Sequence, residues 1–258
     1  MQPEQARTRS WLWAAGVIWL NITFWPNFLL MTFLLALASA IYSLLFDLLF
    51  PKGPRARYLI RTIIHWYGRG VRMGGWPLVK VRFVDMKPEE QPPLIYVVNH
   101  RSSSDAFLLA VLNADSVQML NIWPSRVPLI NYLSRAADYI RVREIPFDQF
   151  LEIGTRLFNE GVSIIAFPEG TRSRTGALGP FHGSAFRLAQ QLKTRICPVA
   201  IWGSENIPKR GSLLLHPGKI IITKLPSLTY EEYKDMNAYT LKMRVRQSIH
   251  ECLEAQPA

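Results

Sequence analysis

The sequence predicts an α/β fold: a mixed, largely parallel β-sheet flanked by helices, preceded by an N-terminal hydrophobic two-helix hairpin. From residue 77 onward, short runs rich in Val and Ile alternate with longer segments of helical periodicity, as strand–helix–strand units do. Several of these runs are apolar at every position, which is typical of strands covered on both faces. The hairpin is predicted from a third observation, a long uncharged stretch near the N-terminus.

The N-terminal stretch from residue 10 to residue 46 contains no charged side chain. Residues 28–46 would span about 28 Å as a helix, close to one hydrocarbon thickness, whereas residues 11–25 would reach only about 22 Å. The dipeptide Pro26-Asn27 between them predicts a break between two helices. The run is too long for a secretory signal peptide and lacks a small-residue cleavage site. A buried hairpin of a soluble protein is the alternative, but so long an uncharged run exceeds ordinary core helices.

Basic residues flank the apolar stretch at both ends: Arg7 and Arg9 before it, and Lys52, Arg55, Arg57 and Arg61 after it. Because positive residues stay on the cytoplasmic side, both ends are predicted to be cytoplasmic. The hairpin would then either span the membrane or re-enter one leaflet. Four tryptophans in its first half favour an interfacial position. The predicted location is therefore a membrane, at its cytoplasmic face, and the inner membrane if the protein is bacterial.

The elements of the α/β domain follow from periodicity and turn signals. We divide the chain into the hairpin with its basic flank, residues 1–57, and the α/β domain, residues 58–258. Strands are predicted at 77–85, 94–98, 139–143, 162–167, 196–202 and 218–224. Helices are predicted at 58–72, 102–112, 147–160, 183–192 and 231–254.

The 258-residue chain is basic, with a formal net charge of +11 and a pI near 9.9. Such an excess suits an anionic membrane surface, a nucleic acid or a polyanionic small molecule, and the apolar N-terminus favours the membrane. The two cysteines, Cys197 and Cys252, have no C-x-x-C spacing and no neighbouring His pair. Neither a disulfide framework nor a zinc site is therefore expected.

The segment Asn99-His100-Arg101-Ser102-Ser103-Ser104-Asp105 follows a predicted buried strand. A turn between His100 and Asp105 can bring the carboxylate to one imidazole nitrogen and leave the other nitrogen for a substrate hydroxyl. Asp105 would fix the tautomer and stabilise the imidazolium, and His100 is the candidate general base. The alternative is an ordinary helix start, capped by a serine and with Asp105 at the positive end of the helix dipole.

A second polar segment, Phe167-Pro168-Glu169-Gly170-Thr171-Arg172-Ser173, also follows a predicted buried strand. Gly170 permits close approach of a ligand to the backbone, and Arg172 can bind a phosphate with two parallel hydrogen bonds. Glu169 could hold either Arg172 or a substrate hydroxyl. The alternative is a polar loop stabilised by a Glu–Arg ion pair, since Gly and Thr are common turn residues.

Together the two segments resemble the signatures of the lysophosphatidic acid acyltransferases, also called 1-acylglycerol-3-phosphate acyltransferases. Asn99, His100 and Asp105 match the family's N-H-x-x-x-x-D, and residues 167–173 match its F-P-E-G-T-R-S without exception. The segment 181–186 is similar to the family's F-K-x-G-x-F, but with His182 for Lys and Ser184 for Gly. Residues 196–200 match its proline-containing fourth block. The resemblance covers roughly residues 94–203.

The resemblance implies an O-acyltransferase of phospholipid biosynthesis, with residues 58–258 as the acyltransferase domain. His100, assisted by Asp105, would deprotonate the hydroxyl of a lysophospholipid, which would attack the thioester of acyl-CoA or acyl-ACP. It implies no metal, no bound cofactor and no covalent acyl-enzyme; the partners would be membrane lipids and the two substrates, and no nucleic acid. Residues implied to hold the glycerol phosphate are Glu169, Gly170, Thr171 and Arg172, with Ser173 in the same loop.

The second block of the family pattern, a proline-glycine stretch leading to I-x-V-D-R, is where the sequence departs. The glycine is absent from residues 128–131, and the ending is Ile140-Arg141-Val142-Arg143-Glu144. Arg141 or Arg143 could supply the phosphate contact, or both could be surface charges of an edge strand. An acyltransferase for another lysophospholipid or a lyso-aminolipid is therefore an alternative. A non-catalytic basic membrane scaffold is a second one, which the intact His–Asp pair argues against.

Overall fold

The computed structural model describes residues 2–49, 53–121, 127–173, 176–205, 207–209 and 211–256, without the side chains of residues 2–10 and 43–49. Lys52 of the predicted basic flank and the side chains of Arg7 and Arg9 therefore lie outside what is described. Within these ranges the chain forms one sheet of seven strands in the order β1-β7-β6-β2-β5-β3-β4. The strands are β1 Val79–Asp85, β2 Ile95–Val98, β3 Ser116–Leu120, β4 Ile140–Arg141, β5 Ser163–Ala166, β6 Ile196–Trp202 and β7 Gly218–Lys224.

The sheet confirms the predicted α/β class and its largely parallel character. Strands β6, β2, β5, β3 and β4 run parallel to one another, while β7 is antiparallel to β6 and parallel to β1. The helices are α1 Gln2–Leu49, α2 Pro54–Met73, α3 Asp105–Leu108, α4 Pro128–Ala136, α5 Phe147–Asn159, α6 Ser184–Leu192, α7 Tyr230–Tyr233 and α8 Ala238–Glu254. A single 3₁₀ turn, Leu109–Val111, follows α3.

Two apolar layers cover the faces of the sheet, because successive strand residues point to opposite sides. On one face, Ile95, Ile164 and Ile196 pack under α5, α6 and α8. On the other face, Tyr96 and Ile165 pack under Leu108, Leu109 and Leu112 and under Leu20 of α1. Leu20 of α1 is therefore part of the apolar layer on this face of the sheet.

The predicted hairpin is wrong, because α1 continues as one helix through Pro26. Proline inside a helix costs about 3 kcal/mol. Burial of a leucine contributes about 1.5–3 kcal/mol, and both Leu20 and Leu35, on either side of the proline, are buried against the domain. Asn27, expected in the turn, instead donates from Nδ2 to the Gly70 carbonyl of α2 at 3.2 Å. The continuous helix is held by contacts distant in sequence, which local turn signals cannot report.

One face of α1 packs on the domain along most of its described length. Its buried residues, Val17, Leu20, Leu35, Ser39 and Tyr42, recur at helical spacing. The opposite face leaves large apolar side chains exposed, among them Leu12, Trp19, Ile22, Leu29, Phe33, Leu37 and Ile41. The segment Trp11–Tyr42 has a mean hydropathy of 1.8 and is, by length and composition, able to cross a membrane.

Several predicted boundaries need correction. Strand β3 and helix α4 were not predicted; β3 is short and only partly apolar, and α4 lies in the segment treated as the altered second block. The predicted helix 102–112 is a four-residue helix followed by the 3₁₀ turn. The predicted final helix is divided into α7 and α8, because Asn237 caps α8 by accepting a hydrogen bond from the Thr240 backbone.

Candidate active site

The polar segments that follow β2, β5 and β3 meet at one edge of the sheet. These three strands are neighbours and parallel, so their carboxyl ends lie side by side. His100 follows β2, the loop 167–173 follows β5, and Asn121 follows β3. Crevices at the carboxyl ends of strands are where open α/β sheets bind ligands. This edge is therefore the candidate active site.

His100 and Asp105 form a hydrogen-bonded pair, with 2.9 Å between Nδ1 and Oδ2. The same Oδ2 accepts the backbone N–H groups of Arg101 and Ser102, each at 2.7 Å. Asp105 is fully buried, whereas the His100 side chain is 20% exposed. A carboxylate can only accept, so Nδ1 carries the proton, and the free electron pair is on Nε2. The predicted pairing is confirmed, and the ring has the tautomer that a general base requires.

The position of the His100 ring is fixed by its neighbours. Its centroid lies 4.4 Å from that of Phe167, the residue that begins the neighbouring loop. Asn99 is buried, and its side-chain amide both donates to the Ile201 carbonyl at 2.9 Å and accepts from the Ile201 N–H at 2.7 Å. This two-way bond extends the pairing of β2 with β6 by one residue and explains why an asparagine precedes the histidine.

Glu169 joins two turns of the site and does not point outward. Its Oε1 accepts the backbone N–H of His100 and its Oε2 that of Gly179, each at 2.8 Å. Burial raises the pKa of the Glu169 carboxyl, against the lowering effect of these two hydrogen bonds. The geometry differs from the predicted contact with Arg172 or a substrate hydroxyl. Glu169 holds the backbone of the candidate base in place.

Replacement of Glu169 by glutamine is expected to lower the thermal stability and the turnover together. One amide oxygen can accept only one of the two N–H groups, and the other is left facing an NH₂ donor, at a cost of about 1–3 kcal/mol. Thermal unfolding and steady-state kinetics would measure the two effects. Glu152→Gln, on the exposed face of α5, is the matched control and should change neither. Wild-type stability and turnover in Glu169→Gln would contradict the proposed role of the two Glu169 hydrogen bonds.

The loop that follows β5 is shaped by Gly170. This residue has a φ of +68°, and a Cβ there would lie 3.2 Å from Cδ2 of His182. The Gly170 carbonyl accepts from Nδ2 of Asn121 at 2.7 Å, and the Ser173 N–H donates to the His100 carbonyl at 2.8 Å. Thr171 is exposed and Arg172 half-buried beside it.

The Ser173–His100 backbone bond joins this loop directly to the turn that holds the candidate base. Ser173 is thus brought beside His100, and Gly170, Thr171 and Arg172, also predicted from the sequence, lie in the same loop. Asn121 and His182 also border the loop, and neither was selected as a site residue. His182 gave a signal in the sequence, since it replaces the lysine of the family pattern, whereas Asn121 gave none.

The two arginines of the altered second block differ in their surroundings. Arg141 donates to Oγ of Ser134 and to Oε2 of Glu144, both at 3.0 Å, and to the Asn131 carbonyl at 3.2 Å. It therefore ties β4 to α4, which differs from the predicted phosphate contact. Arg143 is exposed. Strand β4 lies three strands from β2, or about 14 Å at the usual strand spacing, so neither arginine starts close to His100.

The described residues contain no group of three or more His, Cys, Asp or Glu side chains placed to hold a metal ion. Cys197 is buried in the sheet, and burial raises the pKa of its thiol to about 12. Cys252 is half-buried on α8. Neither thiol follows β2, β3 or β5, the strands whose ends form the candidate site.

Comparisons with known proteins agree with the fold and with the two polar segments of the site, and they point to acyltransferases. The family model described as Acyltransferase matches residues 79–202, which include both polar segments. The crystal structure of the 1-acyl-sn-glycerophosphate (LPA) acyltransferase, PlsC, from Thermotoga maritima has the same fold. Its TM-score is 0.72 at 20% sequence identity, and the match covers 94% of this chain and 97% of that one.

The curated relatives that the chain resembles are 1-acyl-sn-glycerol-3-phosphate acyltransferases. It is 30% identical over 185 residues to a 1-acyl-sn-glycerol-3-phosphate acyltransferase of Limnanthes douglasii, which covers 68% of this chain and 61% of that protein. It is 28% identical over 183 residues to the alpha form of Ovis aries, of which it also covers 61%. The chain thus spans about three fifths of the length of these relatives. The chain is therefore similar to an acyltransferase family that contains the 1-acyl-sn-glycerol-3-phosphate acyltransferases.

Proposed function

We propose that this chain is a membrane-bound O-acyltransferase that moves a fatty acyl group from acyl-CoA or acyl-ACP to the hydroxyl of 1-acylglycerol-3-phosphate, giving phosphatidic acid. The observation that supports it best is the 2.9 Å contact between Nδ1 of His100 and Oδ2 of Asp105, beside the loop 167–173. The proposal extends to a role in phospholipid biosynthesis at the cytoplasmic face of a membrane.

The chemistry follows from the hydrogen bond that orients the imidazole of His100. Nε2 takes the proton of the acceptor hydroxyl as its oxygen attacks the thioester carbonyl carbon. The C–O bond forms, the C–S bond then breaks, and the imidazolium returns the proton to the departing sulfur, so no proton is gained or lost. Asp105 stabilises the transient positive charge across 2.9 Å. General base catalysis of this kind contributes about 10²–10⁴-fold in rate.

Arg172 is the proposed phosphate contact of the acceptor. Its loop follows β5, the strand next to β2, so its backbone starts about 5 Å to one side of the strand that leads to His100. A guanidinium binds a phosphate through two parallel hydrogen bonds, and the hydroxyls of Thr171 and Ser173 lie in the same loop. Gly170 lets the ligand approach the backbone. Arg143 starts farther away and is the weaker candidate.

Helix α1 supports the assignment to a membrane. We propose that its axis lies parallel to the plane of the bilayer. A helix that crossed the bilayer would draw the domain packed along Val17–Tyr42 into the hydrocarbon, and the polar groups of that domain would lose their water. If α1 lies in the interface, its exposed apolar side chains enter the acyl boundary while the domain stays in water. Helix α2 adds cations near this surface, including Arg69 and Arg72.

A second candidate acceptor is a lysolipid other than 1-acylglycerol-3-phosphate. The hydrogen bonds of Arg141 support this alternative. The guanidinium of Arg141 is engaged by Ser134, Glu144 and Asn131, so this part of the site differs from the phosphate contact expected there. The alternative acceptor would be either a lysophospholipid with a substituted phosphate or a lyso-aminolipid. The aminolipid version predicts transfer to an amine-bearing acceptor that lacks any phosphate.

Release of free thiol from acyl-CoA and from acyl-ACP, measured with and without a panel of dispersed lysolipids, tests the proposal. We expect release that depends on the acceptor and is fastest with 1-acylglycerol-3-phosphate. A faster reaction with a phosphate-free acceptor would select the aminolipid version. Acceptor-independent binding to anionic lipid, with no thiol released from either donor, would mean that the chain is a scaffold and not an enzyme.

A further inference from the structure

The connection between β6 and β7 contacts the turn that holds the candidate base. The hydroxyls of Ser102 and Ser104 donate to the Ile207 carbonyl, at 3.2 Å and 2.8 Å. Arg101, the residue after His100, pairs with Glu205 at 3.3 Å. The turn between His100 and Asp105 is therefore supported from outside by this connection.

The far part of the same connection is fastened to α1. The side-chain amide of Asn21 donates to the Leu215 carbonyl at 2.9 Å, and its oxygen accepts the Leu215 N–H at 3.0 Å. The rings of Trp13 and His216 are stacked, with centroids 5.5 Å apart. Leu215 itself is buried in the same apolar cluster as Leu20. The chain on either side of Leu215 is thus held alongside the first half of α1.

Two leucines directly before this attachment point face outward. Leu213 is 75% exposed and Leu214 46% exposed, whereas Leu215 is 3% exposed. Residues 211–215 are called the leucine tip below. Leu213 is two residues from Leu215, which is bonded to Asn21, so the backbone of Leu213 lies within about 7 Å of those bonds. Lys209, four residues before Leu213, is also exposed and carries a positive charge. Adjacent exposed apolar side chains with a cation nearby suit the boundary between headgroups and acyl chains of an anionic bilayer.

We propose that the leucine tip is a second membrane contact, which inserts Leu213 and Leu214 into the same bilayer surface that receives α1. The inference rests on the proposed function, because it takes α1 to lie in the membrane interface. Trp13, which is 55% exposed, stacks on His216, two residues from Leu214, so an exposed aromatic side chain of α1 lies next to the leucine tip. Two separate contacts fix the rotation of the domain about the α1 axis. They thereby set how the site edge faces the lipid surface.

Site-specific labelling tests the contact. A polarity-sensitive dye is attached to Leu213→Cys in a Cys252→Ser background, where the remaining Cys197 is buried. Vesicles of phosphatidylethanolamine and phosphatidylglycerol are then added, and quenching by aqueous iodide is measured. Labels at Phe33→Cys on the exposed face of α1 and at Met86→Cys serve as references. Met86 follows the far end of β1, about 23 Å along the strand from Val79, which packs with Leu20.

The proposal expects vesicles to shield the labels at 213 and 33 from iodide and to leave the label at 86 accessible. An accessible label at 213 beside a shielded label at 33 would overturn the leucine tip contact and leave α1 in the interface. Accessible labels at both positions would overturn both membrane contacts. Thiol release with a dispersed acceptor would still report on acyl transfer in each case, so the two failures are distinguishable.

The double variant Leu213→Ser, Leu214→Ser gives an independent measurement. Loss of two partly inserted leucines should weaken vesicle partitioning by about tenfold or more. Turnover of an acceptor embedded in vesicles should fall with it, while turnover of a short-chain, water-soluble acceptor stays at the wild-type value. Met86→Ser is the matched control and should partition like the wild type. Unchanged partitioning of the double variant would contradict the proposal.

Discussion

Replacement of His100 by alanine is expected to lower kcat by about 10²–10⁴-fold, the contribution of a general base. Methyl in place of imidazole removes the only group of the 99–105 turn that can accept the hydroxyl proton, because Asp105 is fully buried behind it. The KM for the acceptor should change little, since the proposed phosphate contacts lie in the loop 167–173. Acceptor-dependent thiol release under saturating donor would measure both constants.

Stability must be measured beside this loss of activity. The ring of His100 packs on Phe167, and loss of such a contact costs about 0.5–1.5 kcal/mol, so a small decrease in Tm is expected. His250→Ala is the matched control: this histidine lies on α8 and pairs with Glu254. It should retain wild-type turnover. A folded His100→Ala protein with near-normal kcat would remove the proposed mechanism.

Replacement of Asp105 by asparagine is expected to lower kcat by about 10²–10³-fold while the turn keeps its shape. A single oxygen, Oδ2, accepts the three hydrogen bonds from His100, Arg101 and Ser102, and an amide oxygen can occupy the same position. What is lost is the negative charge next to the imidazolium. At an effective dielectric constant near 20, two charges about 4 Å apart interact by about 4 kcal/mol, which sets the upper end of the expected effect.

A comparison with Asp105→Ala distinguishes the effect of the Asp105 charge from the effect of its hydrogen bonds. It removes all three acceptor bonds and leaves two backbone N–H groups without a partner, at about 1–3 kcal/mol each. We expect Asp105→Ala to lower both Tm and kcat, and Asp105→Asn to lower mainly kcat. The Asp105→Asn protein also leaves an NH₂ group at the position of Oδ1, which has no partner among the described residues, so a moderate decrease in Tm is allowed. Equal kcat in wild type and Asp105→Asn would show that the charge does not act on the imidazole.

The sheet was the most predictable part of the fold. Strands β6 and β7 were predicted to the residue, because continuous runs of apolar side chains such as Ile220, Ile221 and Ile222 report burial on both faces. Strand β3 was missed, since Gln118 and its partly buried neighbours break the apolar pattern. Its pairing with β5, distant in sequence, makes it a strand.

The site was predictable only where its partners are close in sequence. His100 and Asp105 are five residues apart, so one turn brings them together. Glu169 and His100 are 69 residues apart, and Arg141 bonds to residues of α4. Those contacts depend on how strands and helices assemble, and residue type alone suggested a substrate contact in both cases. The course of α1 through Pro26 escaped prediction for the same reason.

The burial of Leu20 argues against removing α1 to obtain this protein without detergent. Leu20 packs with Val79, Leu94 and Leu215, so a chain without α1 would open an apolar trough across one side of the sheet. The backbone of Leu215 would lose both bonds to Asn21. Solubilisation would be better served by polar substitutions at outward positions such as Ile22 and Phe33, which leave the buried side of the helix intact.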